Sequence, residues 1–252
     1  MEILIPTHPK DYNKLPYVVS SCANIKSNWA LNTYVVSPTE IPADIKSRII
    51  GDIKYLLDDE VIPNFDRSKI PYRPNWIFQQ LIKLTQEVTG PEYLCVDSDL
   101  IFNRPISFYE DNKRLFLLGQ DQNHQPYFNW QEKFAGLGKV YGHSFINEVM
   151  LFDRELLSTF FREIGINNMA EAREKIVSYI NKDAYPSEFE FFGSVVEKRF
   201  PERYNKRHAK TVQLGRTVAQ YGENAFSQND IENAIRFYRD KDVDWFTLHT
   251  WS

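Results

Sequence analysis

YLCVDSDLIF, residues 93–102, places two carboxylates one residue apart inside an otherwise apolar run. Tyr93-Leu94-Cys95-Val96 reads as a fully buried strand, short and bounded by Gly90-Pro91 on one side and a polar triplet on the other. If the strand stays extended through residue 99, Asp97 and Asp99 point to the same side. Two carboxylates held about 4 Å apart at an effective dielectric near 20 repel by roughly 4 kcal/mol. A cation between them removes that cost, and oxygen ligands suit Mg²⁺ or Mn²⁺. The alternative is a solvated turn, for which Asp and Ser are good formers. Against it, no Gly or Pro marks a turn, and Leu100-Ile101-Phe102 is apolar at once.

Outward from this stretch, the chain alternates strands and helices. Glu2–Pro6 is an apolar strand broken by Thr7-His8-Pro9, residues 11–24 carry a first helix, and Asn32–Ser37 is a second strand. Ile41–Leu57 is mixed and partly helical in pattern. Pro74–Val88 has Ile77, Leu81, Leu84 and Val88 on one helical face, with Pro74 in the first turn and Gly90-Pro91 beyond the end. Leu115–Leu118 and Glu148–Phe152 read as strands. Asp153 can cap the helix RELLSTFFREI. Ser187 with Glu190 forms a capping-box pattern opening EFEFFGSVVEKRF, and Ser227 with Asp230 repeats it less cleanly. Residues 244–249 close the chain as a strand. Such alternation implies a mainly parallel sheet covered on both faces, its antiparallel pieces in the second half.

Bulk properties narrow the classes. A chain of 252 residues buries a substantial core, and 18 Phe, 14 Tyr and 5 Trp supply much of it. The net charge is −4, and the single basic cluster, from Lys198 to Lys210, is broken by Pro201 and Glu202, so no nucleic-acid partner is expected. Cys22 and Cys95 have no metal-ligand spacing and are expected buried and reduced. MEILIPTHPKDY lacks the basic start and apolar core of a signal peptide, and no 18-residue apolar run exists. These features favour a cytosolic protein, or one loosely attached at a membrane surface.

YLCVDSDLIFNRPI resembles the D-x-D strand of glycosyltransferases of the GT-A fold. It is most similar to a less characterised branch carrying W-x-x-Q-Q-x-x-K-L and S-E-x-x-x-F-G boxes. Here those are Trp76 to Leu84 and Ser187 to Gly193, and ILIPTHPKDY matches the first strand and loop. The resemblance covers residues 1–20, 72–110 and 145–195. It implies one α/β domain over 1–252, a Rossmann-like three-layer sandwich with a mixed, mainly parallel central sheet. The donor half is about 1–110 and the acceptor half about 111–252. It further implies a hexosyl- or pentosyltransferase that takes a nucleoside-diphosphate sugar, uses Mn²⁺ or Mg²⁺, and glycosylates a glycan or other hydroxyl acceptor.

Site residues follow from the same resemblance. Asp97 and Asp99 would engage the metal, with Asp97 and Ser98 also near the donor. His249, at the end of the last strand, would be a third ligand and tilt the choice towards Mn²⁺; otherwise it is a surface His near a chain end. Glu188 matches the family's acidic position and is the choice for deprotonating the acceptor, with Asp183 and Asp121 in reserve. Acids in a first helical turn also simply favour the helix dipole. Pro6, Thr7, His8 and Lys10 would lie under the nucleotide, and Arg73, Gln80 and Lys83 are donor-side candidates. Gln79 and Gln80 lie about 100° apart on a helix, so at most one faces the site. Trp76 is a core candidate, and Trp130, in QPYFNWQEKF, a loop candidate for acceptor stacking.

Three other readings compete. A sugar-nucleotide pyrophosphorylase would place a Gly-rich loop after the first strand, and ILIPTHPKDYNKLP has no Gly. A D-x-D phosphatase expects Thr or Val where Ile101 stands. A sugar-nucleotide-binding protein without transferase activity keeps the fold but has no need of intact Asp97, Asp99 and Glu188.

Overall fold

The structure, a computed structural model, describes residues 1–27, 32–119, 123–139, 142–222 and 225–251. Asp121 lies outside the described residues. Strands β1 (Glu2–Pro6), β2 (Thr33–Ser37), β3 (Ile53–Leu57) and β4 (Glu92–Val96) run parallel in the order β3-β2-β1-β4. The later strands are β5 (Leu100–Phe102), β6 (Tyr109–Glu110), β7 (Lys113–Leu118), β8 (Val149–Asp153), β9 (Tyr204–His208), β10 (Thr211–Thr217) and β11 (Trp245–Trp251). Antiparallel β8 closes the central sheet beside β4. Two three-stranded sheets flank it, β10-β11-β5 and β6-β7-β9.

Strand alternation makes this sheet the middle layer. Ile3, Ile5, Val35, Leu94 and Val96 enter one apolar core, shared with the Leu15–Ser21 helix, β5 and β11. Leu4, Tyr34, Val36, Tyr93 and Cys95 point into the other, filled by the helices Pro74–Thr85, Arg154–Glu163, Met169–Ser178 and Glu188–Arg199. A strand buried on both faces must be apolar at every position, which is why β4 shows no polar alternation. Both cysteines are buried and free, and burial pushes the Cys22 thiol up to about 12. Among the described residues no helix is long and apolar enough to cross a membrane.

Several local expectations need correction. The first helix starts only at Leu15, after a 3-10 turn over Pro9–Asp11. Residues 41–57 hold one short helical turn, Ala43–Lys46, and then the edge strand β3, whose half-exposed IKYLL lacks a continuous apolar signal. The 74–88 helix stops at Thr85 because the Gln86 side chain accepts from Val88 N (2.9 Å) and Thr89 N (3.0 Å), drawing the chain out of the helix. Trp130 is no loop residue: with Phe134 four positions on, it faces inward from the helix Gln125–Ala135, is 0% exposed, and donates to Ile176 O at 3.2 Å. The Ser187 cap forms, but the Glu190 carboxylate accepts instead from Ser144 Oγ (2.9 Å) and Phe145 N (2.8 Å). Ser227 and Asp230 do form the full capping box that Ser187 and Glu190 do not.

Candidate functional site

β4 does not run on through residue 99. It ends at Val96, and Leu100 N donates to Asp97 O (3.1 Å), closing a turn without Gly or Pro. Leu100–Phe102 then leaves the central sheet and pairs antiparallel with β11. The turn separates the two carboxylates. Asp97 Oδ1 accepts from Lys83 Nζ at 2.6 Å, whereas Asp99 Oδ2 sits 2.9 Å from His249 Nδ1.

Lys83 comes from the last turns of the Pro74–Thr85 helix and is buried. Its ammonium also donates to Glu188 Oε1 at 2.5 Å, in the first turn of the Glu188–Arg199 helix. Burial opposes its charge, but Asp97 and Glu188 together hold Lys83 above its ordinary value. Asp97 is raised, first by burial and then by the neighbouring Glu188 and Asp99 carboxylates, against the pull of Lys83. Gln80, also buried, accepts from Glu188 N at 3.4 Å.

Asp99 and His249 form the second pair. Burial disfavours the charge on each. The hydrogen bond between them prevails, holding Asp99 below the usual carboxylate range and lifting His249 to about 10 with help from Glu148. Glu148 Oε1 lies 3.8 Å from His249 Nε2.

Asp97, Asp99 and His249 border a cleft of about 580 Å³. Because β1 to β4 run parallel, their carboxyl ends share one edge of the sheet, and each supplies lining residues: Thr7 and His8 after β1, Pro38 after β2, Asp58 after β3, Asp97 to Asp99 after β4. Pro6, Arg73, Trp76, Gln79 and His249 complete the parts named from sequence. The Arg73 guanidinium lies 4.5 Å above the Trp76 ring, its backbone at φ 47° immediately before Pro74. The Thr7 hydroxyl is buried without a hydrogen-bond partner among the described residues. Lys10, also in the lining, donates from Nζ to Thr250 O at 2.9 Å. Beneath it, buried Lys14 bridges Asp11 Oδ1 (2.6 Å), Leu248 O (2.7 Å) and Thr250 Oγ1 (2.9 Å), fastening the final strand to the first loop.

The fold therefore gathers Pro6, Thr7, His8, Arg73, Asp97, Ser98, Asp99 and His249 around one cleft. Gln80, Lys83 and Glu188 stand behind it; of the two adjacent glutamines it is Gln79 that lines the cleft. Asp183 is apart, exposed in the 181–184 turn, its backbone carbonyl accepting from Asn129 Nδ2 at 3.0 Å. Residues the sequence reading passed over include Asp11, Asp58 and Arg67, all in the lining, and Glu148. The Asp58–Arg67 ion pair (2.6 Å) had no spacing signal; Glu148 had one, an acid opening a buried strand.

The donor chemistry suits a divalent cation. Two carboxylates and an imidazole border one cleft, and Asp99 and His249 are already in contact. Among the described residues no three potential ligands converge into a closed cluster, and one oxygen of Asp97 is engaged by Lys83. Asp99 and His249 are the pair that could hold such an ion, with Asp97 beside them.

A protein-family model described as a family of unknown function, DUF6492, matches residues 7–185. No curated protein matches the chain. Among solved structures, the galactosyltransferase LgtC in complex with donor and acceptor sugar analogs aligns over 98% of this chain and 87% of its own, at 12% identity and a TM-score of 0.51. An active-site mutant of LgtC aligns with the same figures. The apo form of mouse xyloside xylosyltransferase 1 aligns over 98% and 97%, at 16% identity and a TM-score of 0.48. The likeness to LgtC shows the architecture of this chain to be the GT-A fold.

Proposed function

The chain belongs to the family of unknown function DUF6492, and on the build of its cleft we propose that it is a metal-dependent glycosyltransferase using a nucleoside-diphosphate-sugar donor. The observation that carries this reading is the meeting of Asp99 and His249 at 2.9 Å, where the carboxyl ends of four parallel strands open into one cleft. Such an edge is where open α/β sheets bind ligands.

When bound, Mn²⁺ or Mg²⁺ would supply positive charge to a departing diphosphate. Asp99 and His249 would hold it, and Asp97 would complete the set. The chain's own groups do the rest. Lys83 holds Asp97 in place from behind the cleft, so that one carboxylate oxygen is committed and the side chain keeps a single orientation. Lys10, at the cleft wall, adds a cation suited to phosphate oxygens.

The role assigned to Glu188 shifts. It is 3% exposed, bonded to Lys83, and not among the lining residues. A carboxylate so placed supports Lys83 and, through it, Asp97; it does not meet an acceptor hydroxyl.

The test is a thermal-shift screen of the purified chain against nucleoside diphosphates, with and without Mn²⁺. One nucleotide should raise the melting temperature only when metal is present, as mass action requires; a ligand at 100 times its Kd adds about 2.7 kcal/mol. Asp99→Ala should lose this shift and keep its fold. An undiminished metal-dependent shift in that variant overturns the assignment. Turnover of the matching nucleotide sugar then separates a transferase from a binder.

A further inference from the structure

We propose that Glu148 is a positioning residue for the cation site, fixing the His249 ring and the Asp97 backbone together from behind the cleft. The inference rests on reading Asp99 and His249 as cation ligands.

Glu148 immediately precedes β8 and is 6% exposed. Its carboxylate is clamped by two donors from the small sheet: Gln213 Nε2 to Oε1 at 2.7 Å and Trp245 Nε1 to Oε2 at 3.1 Å. Trp245 is wholly buried, so the clamp has a rigid side. Oε1 faces His249 Nε2 at 3.8 Å, while Nδ1 of the same ring meets Asp99. The imidazole thus stands between two carboxylates, hydrogen-bonded to Asp99 through Nδ1 and facing Glu148 with Nε2. Through its main chain, Glu148 reaches the other half of the site, its carbonyl accepting from Asp97 N at 2.9 Å. One residue therefore touches both arms of the constellation without lining the cleft.

A carboxylate behind a ligating histidine fixes its tautomer and ring orientation and raises its basicity. A purely structural acid, satisfied by Gln213 and Trp245 alone, would affect the melting temperature and leave cation affinity in the folded protein untouched. The two roles therefore separate in a direct measurement.

The measurement is a Mn²⁺ titration of the full chain by electron paramagnetic resonance, without nucleotide and well below the melting temperature. Wild type should bind, and His249→Ala should lose most of that binding. Glu148→Gln should weaken it by about 10–100-fold, the usual cost of removing such a partner. Gln213 is exposed, so Gln213→Ala loosens the same carboxylate with little risk to folding and should weaken binding in the same direction. If both variants bind Mn²⁺ like wild type while His249→Ala does not, the positioning role is overturned. If wild type itself binds no Mn²⁺, the failure belongs to the reading of the site.

Discussion

His249 and Asp99 are 150 residues apart in the chain and 2.9 Å apart in space. Strand register brings them together: β11 pairs antiparallel with β5, Thr247 lies opposite Leu100, and Leu248 N donates to Asp99 O at 2.9 Å. The contact is therefore built into the sheet. If both side chains serve one ion, their removals must overlap. Asp99→Asn and His249→Ala should each abolish most Mn²⁺ affinity, and the double variant should be little worse than either single one. Fully additive losses in the titration would mean that the two act independently.

Lys83 is the sole cation in contact with the buried Glu188 carboxylate among the described ion pairs. Taking one partner from a buried pair leaves an uncompensated charge, which costs about 3–5 kcal/mol. Lys83→Met should lower unfolding stability by that order in urea denaturation. Adding Glu188→Gln should recover a good part, since the orphaned charge is then gone. A Lys83→Met protein as stable as wild type would contradict the buried pair.

Gly193 closes the S-E-x-x-x-F-G box for a packing reason. A Cβ added there would stand 2.1 Å from Phe145 Cγ. Helix propensity alone favours Ala over Gly by about 1 kcal/mol. The overlap costs more, about 1–3 kcal/mol or above when a tight core must shift. Gly193→Ala should therefore lower the melting temperature, and Phe145→Leu in the same chain should restore part of it. A Gly193→Ala protein that melts higher would show that the ring moves freely.

Asp230 offers a pH test away from the cleft. Hydrogen bonds, first from Arg216 and then from Ser227, hold its carboxyl down at about 2, below its ordinary 3.8. A carboxyl depressed by folding stabilises the native state above its unfolded value, and that contribution fades as pH falls through the folded one. Asp230→Asn should thus melt below wild type at pH 6, and the gap should close between about pH 4 and pH 2. Solvent screening of this half-buried pair keeps the gap small. A gap that is constant down to pH 2 would assign the effect to shape rather than charge.

Much of the frame was legible because it is locally encoded. β1, β2 and β4 are continuous apolar runs, and the Pro74–Thr85 helix carries its face at helical spacing. Asp153 and Ser227 read correctly as caps because the hydrogen bonds are made within three residues. β10 was equally legible and passed over: Val212 and Leu214 alternate inward with exposed neighbours. Glu190 misled because a local partner competed with a distant one, and the 144–145 backbone took the carboxylate.

The chain by itself determined the layered sheet, since strand and helix periodicity assign each residue a face before any tertiary contact forms; it marked Asp97 and Asp99 as carboxylates inside an apolar run, whereas His249 was named only through the resemblance to GT-A glycosyltransferases. Tertiary structure alone decided the partners: Asp97 to Lys83, Asp99 to His249, Glu188 behind the wall instead of in the cleft. A carboxylate has no preference written in its own neighbourhood for one cation over another. The pairing depends on which strand ends and helix turns the sheet register brings within about 3 Å, the reach of a hydrogen bond.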